Sequence, residues 1–164
     1  MTAVIIEIAT AQDWPRIWPI FRDIVASGET YALPEDLTMD TARSLWMEQA
    51  PWHTVIAVSS GKVLGSAKMG PNRPGRGAHV ATASFIVDPV SQGQGVGRSL
   101  GSYALHWARA SGYRSMQFNA VVETNTAAVR LWQDLGFRIL TTVPEAFDHP
   151  QHGFVGLHVM FLRL

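Results

Sequence analysis

The chain has 164 residues, with 13 Lys plus Arg set against 13 Asp plus Glu, and no Cys. Balanced charge excludes the footprint of a general nucleic-acid binder or a polybasic membrane-surface protein, since both need an excess of Lys and Arg to neutralise phosphates. Zero Cys excludes disulfides, thiolate metal sites and a cysteine nucleophile, and it fits a reducing, cytoplasmic setting. A hydrophobic fraction of 47% that includes 6 Trp and 7 Phe is enough for one core, so the expectation is a single domain over residues 1–164.

In chain order, residues 4–9 (VIIEIA) are rich in β-branched side chains and read as a first strand. No basic residue precedes this apolar run and Glu7 interrupts it, which argues against a signal peptide. Thr10 or Asp13 caps a helix reaching Ala26, with Trp14, Ile17, Trp18, Phe21, Ile24 and Val25 at helical spacing; Pro15 suits its first turn and Pro19 predicts a kink. A loop over residues 27–38 leads to a second helix over 39–49, which must stop near Pro51.

Residues 54–59 and 62–69 form a hairpin about Ser60-Gly61. A Pro/Gly-rich loop over 70–77 carries Arg73 and Arg76, and residues 79–87 (HVATASFIV) make a central strand closed by Asp88-Pro89. A Gly-rich turn then enters a helix that ends at Gly112. After it come a strand over 116–122, a helix over 125–135 stopped by Gly136, and strands over 137–142 and 155–162. The intervening residues 144–153 (PEAFDHPQHG) read as a flexible flap. Hairpins followed by strand–helix–strand units imply an α/β (α+β) layered domain with a mixed sheet and at least one parallel crossover.

The turn after the central strand reads DPVSQGQGVGR over residues 88–98. Glycines between a strand and a helix let consecutive N–H groups point at an anion while the helix dipole adds positive potential. A Walker loop fails because the turn has no Lys, and a dinucleotide fingerprint fails because position 98 is Arg. A third pattern fits: Gln/Arg-x-x-Gly-x-Gly/Ala, as Gln92, Gly95 and Gly97. Downstream, Asn125, Ala128, Leu131, Trp132, Gly136 and Phe137 match Asn-x-x-Ala-x-x-Leu-Tyr-x-x-x-Gly-Phe except at Trp132. With one strand between them, these segments resemble those of the GNAT superfamily of N-acetyltransferases.

The resemblance implies a GNAT-like, mostly antiparallel sheet of six to seven strands with a splayed parallel pair and about four flanking helices. It implies acetyl-CoA as co-substrate, no metal, and pyrophosphate held by the main chain of Gln92, Gly93, Gln94, Gly95, Val96, Gly97 and Arg98. Phe85, Ile86 and Val87 would pair with the pantetheine arm, with the Val87 N–H polarising the thioester carbonyl and Asn125 beside the arm. The implied reaction is direct attack of an unprotonated amine on the thioester.

Trp132 occupies the cofactor-side position where many relatives carry a Tyr, the presumed acid for the departing sulfur. Indole is no useful acid, so Tyr31 or a water is left for that role. Glu29, Glu123, Asp148, His149 and His152 are the candidate bases, Glu123 because it follows the strand ending at Val122. Asn119 is a polar residue in an apolar strand and orients the acceptor, bonds the acetyl oxygen as a catalytic group, or satisfies a structural partner. Glu29, Tyr31, Phe85, Asn119 and His149 are the acceptor-binding candidates. His149 and His152, split by Pro150, make a poor metal pair.

The loop about Glu29 resembles small-amino-acid acetyltransferases, including those acting on phosphinothricin-like substrates, and the segment FNAVVETN is similar to one in proline-analogue acetyltransferases. The expected function is acetyl transfer to the amine of a small molecule, an amino acid or amino-acid-like toxin. The alternatives are a catalytically silent acyl-CoA-binding regulatory domain and a protein N-terminal acetyltransferase. The strand over 155–162 is apolar on both faces, which suits a central position or the contact of a homodimer.

Overall fold

The computed structural model describes residues 2–164. Its elements in order are β1 (Ile5–Ile8), α1 (Trp14–Ser27), α2 (Met39–Trp46), β2 (His53–Ser59), β3 (Lys62–Pro71) and β4 (Val80–Val87). After the Gly-rich turn come α3 (Val96–Ala110), β5 (Ser115–Val122), α4 (Thr126–Asp134), β6 (Arg138–His149) and β7 (Gly153–Arg163). The strands form one seven-stranded sheet in the order β1-β2-β3-β4-β5-β7-β6. Among the described residues only the β4–β5 pair is parallel. Among the described residues no helix is long and apolar enough to cross a membrane.

Alternation along the strands divides the core between the two faces of the sheet. On one face Val55, Ala57, Ala67 and Met116 pack with Leu100 and Ala104 of α3 and Trp132 of α4. On the other, Ile56, Val58 and Ile86 pack against Trp14, Ile17, Phe21 and Trp46 of α1 and α2. The helices sit where the apolar stripes require, and the sheet is covered on both sides of β4.

α1 runs through Pro19 without ending. Its missing N–H would have bonded the carbonyl of Pro15, so the helix forgoes one bond near its start while its apolar stripe stays buried. α2 stops at Trp46, short of the expected residue 49, because Met47 leaves helical geometry (φ −99°, ψ 53°).

The expected flap over residues 144–153 is instead ordered structure: the end of β6, a turn and the start of β7. A register shift between Val143 and Phe147 absorbs Pro144 and Glu145, the latter at φ 50°, as a bulge. β6 is the outermost strand, so the absent N–H of Pro144 costs no ladder to a further neighbour. β7 lies between β5 and β6, and that central place accounts for apolar residues on both of its faces.

Candidate active site

β4 pairs with β3 along its length, from Pro71↔Ala81 to Gly65↔Val87. Its pairing with β5 is confined to Val80↔Ser115 and Ala81↔Met116. Beyond that point the two strands separate, leaving the β5-facing edge of β4 without a strand partner. A cleft of about 720 Å³ fills the gap. The Gly-rich turn closes one end, and residues from the α1–α2 loop and the β6–β7 hairpin close the other.

The turn end is built from backbone. Gly93 and Gly95 have φ of 76° and 82°, a left-handed conformation that a residue with a Cβ adopts only with strain. Gly95 is the N-cap of α3. The N–H groups of Val96, Gly97 and Arg98 therefore lie in the first helical turn, where no intrahelical acceptor exists, and the helix dipole adds positive potential beside them. A Cβ on Gly93 or Gly95 would meet nothing within 4 Å, so these glycines serve conformation and leave space open. That is a cradle for an anionic group, of the kind a pyrophosphate would fill.

Gln92, Gly93, Gly95, Val96, Gly97 and Arg98 line the cleft, as do Phe85, Ile86 and Val87 on β4. Gln94 is not in the lining; its side-chain amide donates to the Val90 carbonyl at 3.3 Å. Arg98 pairs with Asp134 at 2.9 Å, with both side chains about half exposed.

The middle of the cleft is aromatic. The rings of Phe85 and Trp132 lie 4.6 Å apart, and Trp132 and Phe118 lie 4.9 Å apart. A close approach of α3 at Gly101 seats the indole: a Cβ there would fall 2.9 Å from Trp132 Cζ3. Asn125 caps α4 by accepting from the Ala128 N–H at 3.4 Å and also lines the cleft.

Tyr31 reaches across from the α1–α2 loop. Its hydroxyl accepts from the Phe85 N–H at 2.9 Å and donates to the Phe85 carbonyl, on the unpaired edge of β4. Burial holds its phenol above the usual tyrosine range, with the hydrogen bonds to Phe85 and Ser84 working the other way.

At the far end, Asn119 lines the cleft from β5, exposed and not buried as a structural partner would be. Its amide donates to Asn72 Oδ1 at 2.6 Å and accepts from Gln117 Nε2 at 2.9 Å. Ile24, Val122, Phe147 and Leu157 add apolar surface to the lining, and Thr30, Thr82 and Ser84 add neutral hydroxyls.

Besides Gln94, the expected site residues Glu123, His149 and Glu29 stand outside the lining. The Glu123 carboxylate accepts from the Gly156 N–H at 2.6 Å. His149 is buried in the β6–β7 hairpin, its Nδ1 accepting from the Gln151 and His152 N–H groups at 3.1 and 3.2 Å. Glu29 is next to the lining residue Thr30 but is not itself part of the wall. Sequence reasoning missed Ile24, Thr82, Ser84, Phe147 and Leu157. Thr82 and Ser84 carried a readable signal, as polar residues alternating along a strand that leads into a Gly-rich turn.

A family model described as the Acetyltransferase (GNAT) family matches residues 14–137. A solved GCN5-related N-acetyltransferase from Kribbella flavida is 57% identical, with a TM-score of 0.96 over 99% of this chain and 98% of that one. The L-methionine sulfoximine/L-methionine sulfone acetyltransferase of Salmonella typhimurium is 30% identical over 145 residues, 85% of this chain and 83% of that protein. The yncA protein of Salmonella typhimurium, solved with its cofactor acetyl-CoA, is 26% identical with a TM-score of 0.84 over 99% of this chain and 95% of that one. The N-acetyltransferase aca1 of Schizosaccharomyces pombe is 34% identical over 98 residues, 59% of this chain, and the chain spans 47% of that relative's length.

Proposed function

Because the chain belongs to the GNAT family of acetyltransferases, we propose that it transfers the acetyl group of acetyl-CoA to the primary amine of a small, amino-acid-like molecule. The observation that carries this reading is the parting of β4 from β5, which opens a cleft that the N-terminus of α3 also lines. One cleft thereby joins an anion cradle, an unpaired strand edge and a neutral acceptor wall. The family's activity and the amino-acid-like acceptors of its relatives support it.

In this reading the N–H groups of residues 92–98 hold the pyrophosphate. The edge of β4 at Val87, and at Phe85 once the Tyr31 hydroxyl is displaced, takes an extended amide chain as a neighbouring strand would, and Asn125 lies beside that chain. A main-chain N–H on this edge, at Val87, faces the oxygen that gains charge as the amine attacks. Trp132 and Phe118 wall the reacting centre from water. Asn119 orients the acceptor.

A thiol of ordinary pKa, about 8.5 by analogy with Cys, leaves tolerably near neutral pH, so the indole at position 132 is compatible with turnover. Glu123, tied to Gly156, serves as the base in this scheme only through an intervening water. The reading also takes the protein to be a cytoplasmic homodimer that works without a metal. Leu140, Val143 and Phe154, exposed on the β6–β7 edge, support self-association.

Calorimetric titration with acetyl-CoA, followed by thiol release across a panel of amines, tests the proposal. Binding with turnover on at least one amine is expected. Binding with no turnover on any acceptor would favour the silent acyl-CoA-binding reading instead.

A further inference from the structure

The edge that β4 turns toward β5 is covered by a residue of the chain itself. The Asp88 N–H donates to the Leu64 carbonyl at 2.8 Å, so the even-numbered residues at this end of β4 direct their main-chain groups to β3. Phe85 and Val87, the odd-numbered ones, direct theirs away from β3 and into the cleft. The Tyr31 hydroxyl meets both groups of Phe85, accepting from its N–H at 2.9 Å and donating to its carbonyl. One hydroxyl thus does at Phe85 what an amide of a neighbouring strand would do. An open strand edge invites pairing with any extended chain, and Tyr31 guards this one.

The same contact ties down the α1–α2 loop. Among the described residues, the hydrogen bonds between residues 29–37 and the sheet all end on the Tyr31 hydroxyl. The ring of Tyr31 packs with Leu33 and Leu37 on the core beneath α1 and α2, a non-directional contact that tolerates a small shift. Gly28, at φ 68°, ends α1 and gives the loop a pivot. Thr30, Tyr31 and Ala32 all line the cleft, so a movement of the loop reshapes the wall it contributes.

Resting on the acetyltransferase reading above, we infer that Tyr31 is an internal competitor of acetyl-CoA. Its hydroxyl and an amide of the pantetheine arm claim the same two main-chain groups of Phe85, so loading the cofactor unlatches the α1–α2 loop. At Phe85 the exchange is close to balanced, because two hydrogen bonds are lost and two are made; the affinity for acetyl-CoA comes from the rest of its length. What the exchange achieves is coupling between the two ends of the cleft. A loop held at Phe85 weakens the cofactor, and by linkage the cofactor loosens the loop to the same degree.

The test compares a ligand that reaches Phe85 with one that does not. Acetyl-CoA carries the arm; ADP carries a pyrophosphate and no arm. Fluorotyrosine is incorporated at the three tyrosines, and Tyr103→Phe and Tyr113→Phe assign the fluorine resonances by elimination. Acetyl-CoA is expected to shift the Tyr31 resonance of the wild type, and ADP is expected to leave it in place. In calorimetric titration, Tyr31→Phe, which keeps the ring and removes the latch, should bind acetyl-CoA about 10-fold more tightly and ADP no differently from the wild type. A Tyr31 resonance unmoved by acetyl-CoA would overturn the inference while leaving the acetyltransferase reading standing. So would a variant that binds acetyl-CoA no more tightly, or that gains as much for ADP as for acetyl-CoA. Failure of both proteins to bind acetyl-CoA would count against the reading beneath it.

Discussion

The two ends of the cleft are built from different materials. The turn end is backbone: N–H groups at a helix start, held by residues 92–98 in one unbroken stretch. The acceptor end is side chain: Ile24, Thr30, Asn119, Phe147 and Leu157 come from separate places in the chain and meet only after folding. A ligand half common to all reactions can be held by groups every residue carries. A ligand half that distinguishes one reaction from another needs side chains, and those are free to change without disturbing the cradle.

The largest expected effect breaks the turn end alone. Gly95→Asp puts a carboxylate where the cradle must receive an anion, and acetyl-CoA affinity is expected to fall by at least about 100-fold. The space around Gly95 accepts a Cβ, and the left-handed φ of 82° costs roughly 1–2 kcal/mol, so the fold survives with a melting point lowered by several degrees. Calorimetric titration and thermal unfolding check the two halves of this statement separately. Unchanged affinity would remove the turn from the site.

Tyr31 stands where the two ends meet, and it gives the next effect. Its hydroxyl occupies both main-chain groups of Phe85 on the edge that an extended ligand would use. Each such hydrogen bond contributes about 0.5–1.5 kcal/mol net. Tyr31→Phe leaves the ring in place and frees the edge, so acetyl-CoA is expected to bind about 10-fold more tightly. Weaker binding would mean that the hydroxyl touches the ligand directly, and the boundary between the ends would then lie on the other side of Tyr31.

The same division explains what is legible in the sequence. The Gly-rich turn and the Asn125 cap are local, because each is set by the conformational needs of a few adjacent residues, and their spacing can be read directly. The layered fold follows from periodicity. The point after Ala81 and Met116 at which β4 leaves β5 cannot be read from either strand, since Thr82, Ser84, Gln117 and Asn119 keep the alternation of an ordinary half-buried strand and do not say where pairing stops. Phe147 and Leu157 look like any core residue in a strand, and alternation cannot tell a wall from a core. Glu123 and His149 have the chemistry of bases, but one carboxylate oxygen of Glu123 and the Nδ1 of His149 are bound to neighbouring main chain, and neither residue lines the cleft. Residues 144–153 read as a flap because Pro, Gly and His are common in loops, whereas an outer strand tolerates a proline and a bulge.

The smallest effect belongs to the acceptor end. Asn119 is exposed, and its amide is held between Asn72 and Gln117. Asn119→Ala removes a neutral hydrogen-bonding partner at a site that water can still reach, so the loss is that of one modest interaction, about 1 kcal/mol. The acceptor KM is expected to rise about 5-fold, with kcat changed little and the affinity for acetyl-CoA unchanged. Steady-state kinetics with the preferred amine, set beside calorimetric titration of acetyl-CoA, separates the two. If acetyl-CoA affinity fell as well, Asn119 would serve both ligands, and the two ends of the cleft would be coupled through β5 instead of independent. If kcat fell and KM held, the amide would touch the reacting atoms in the transition state and Asn119 would be catalytic, not a specificity contact.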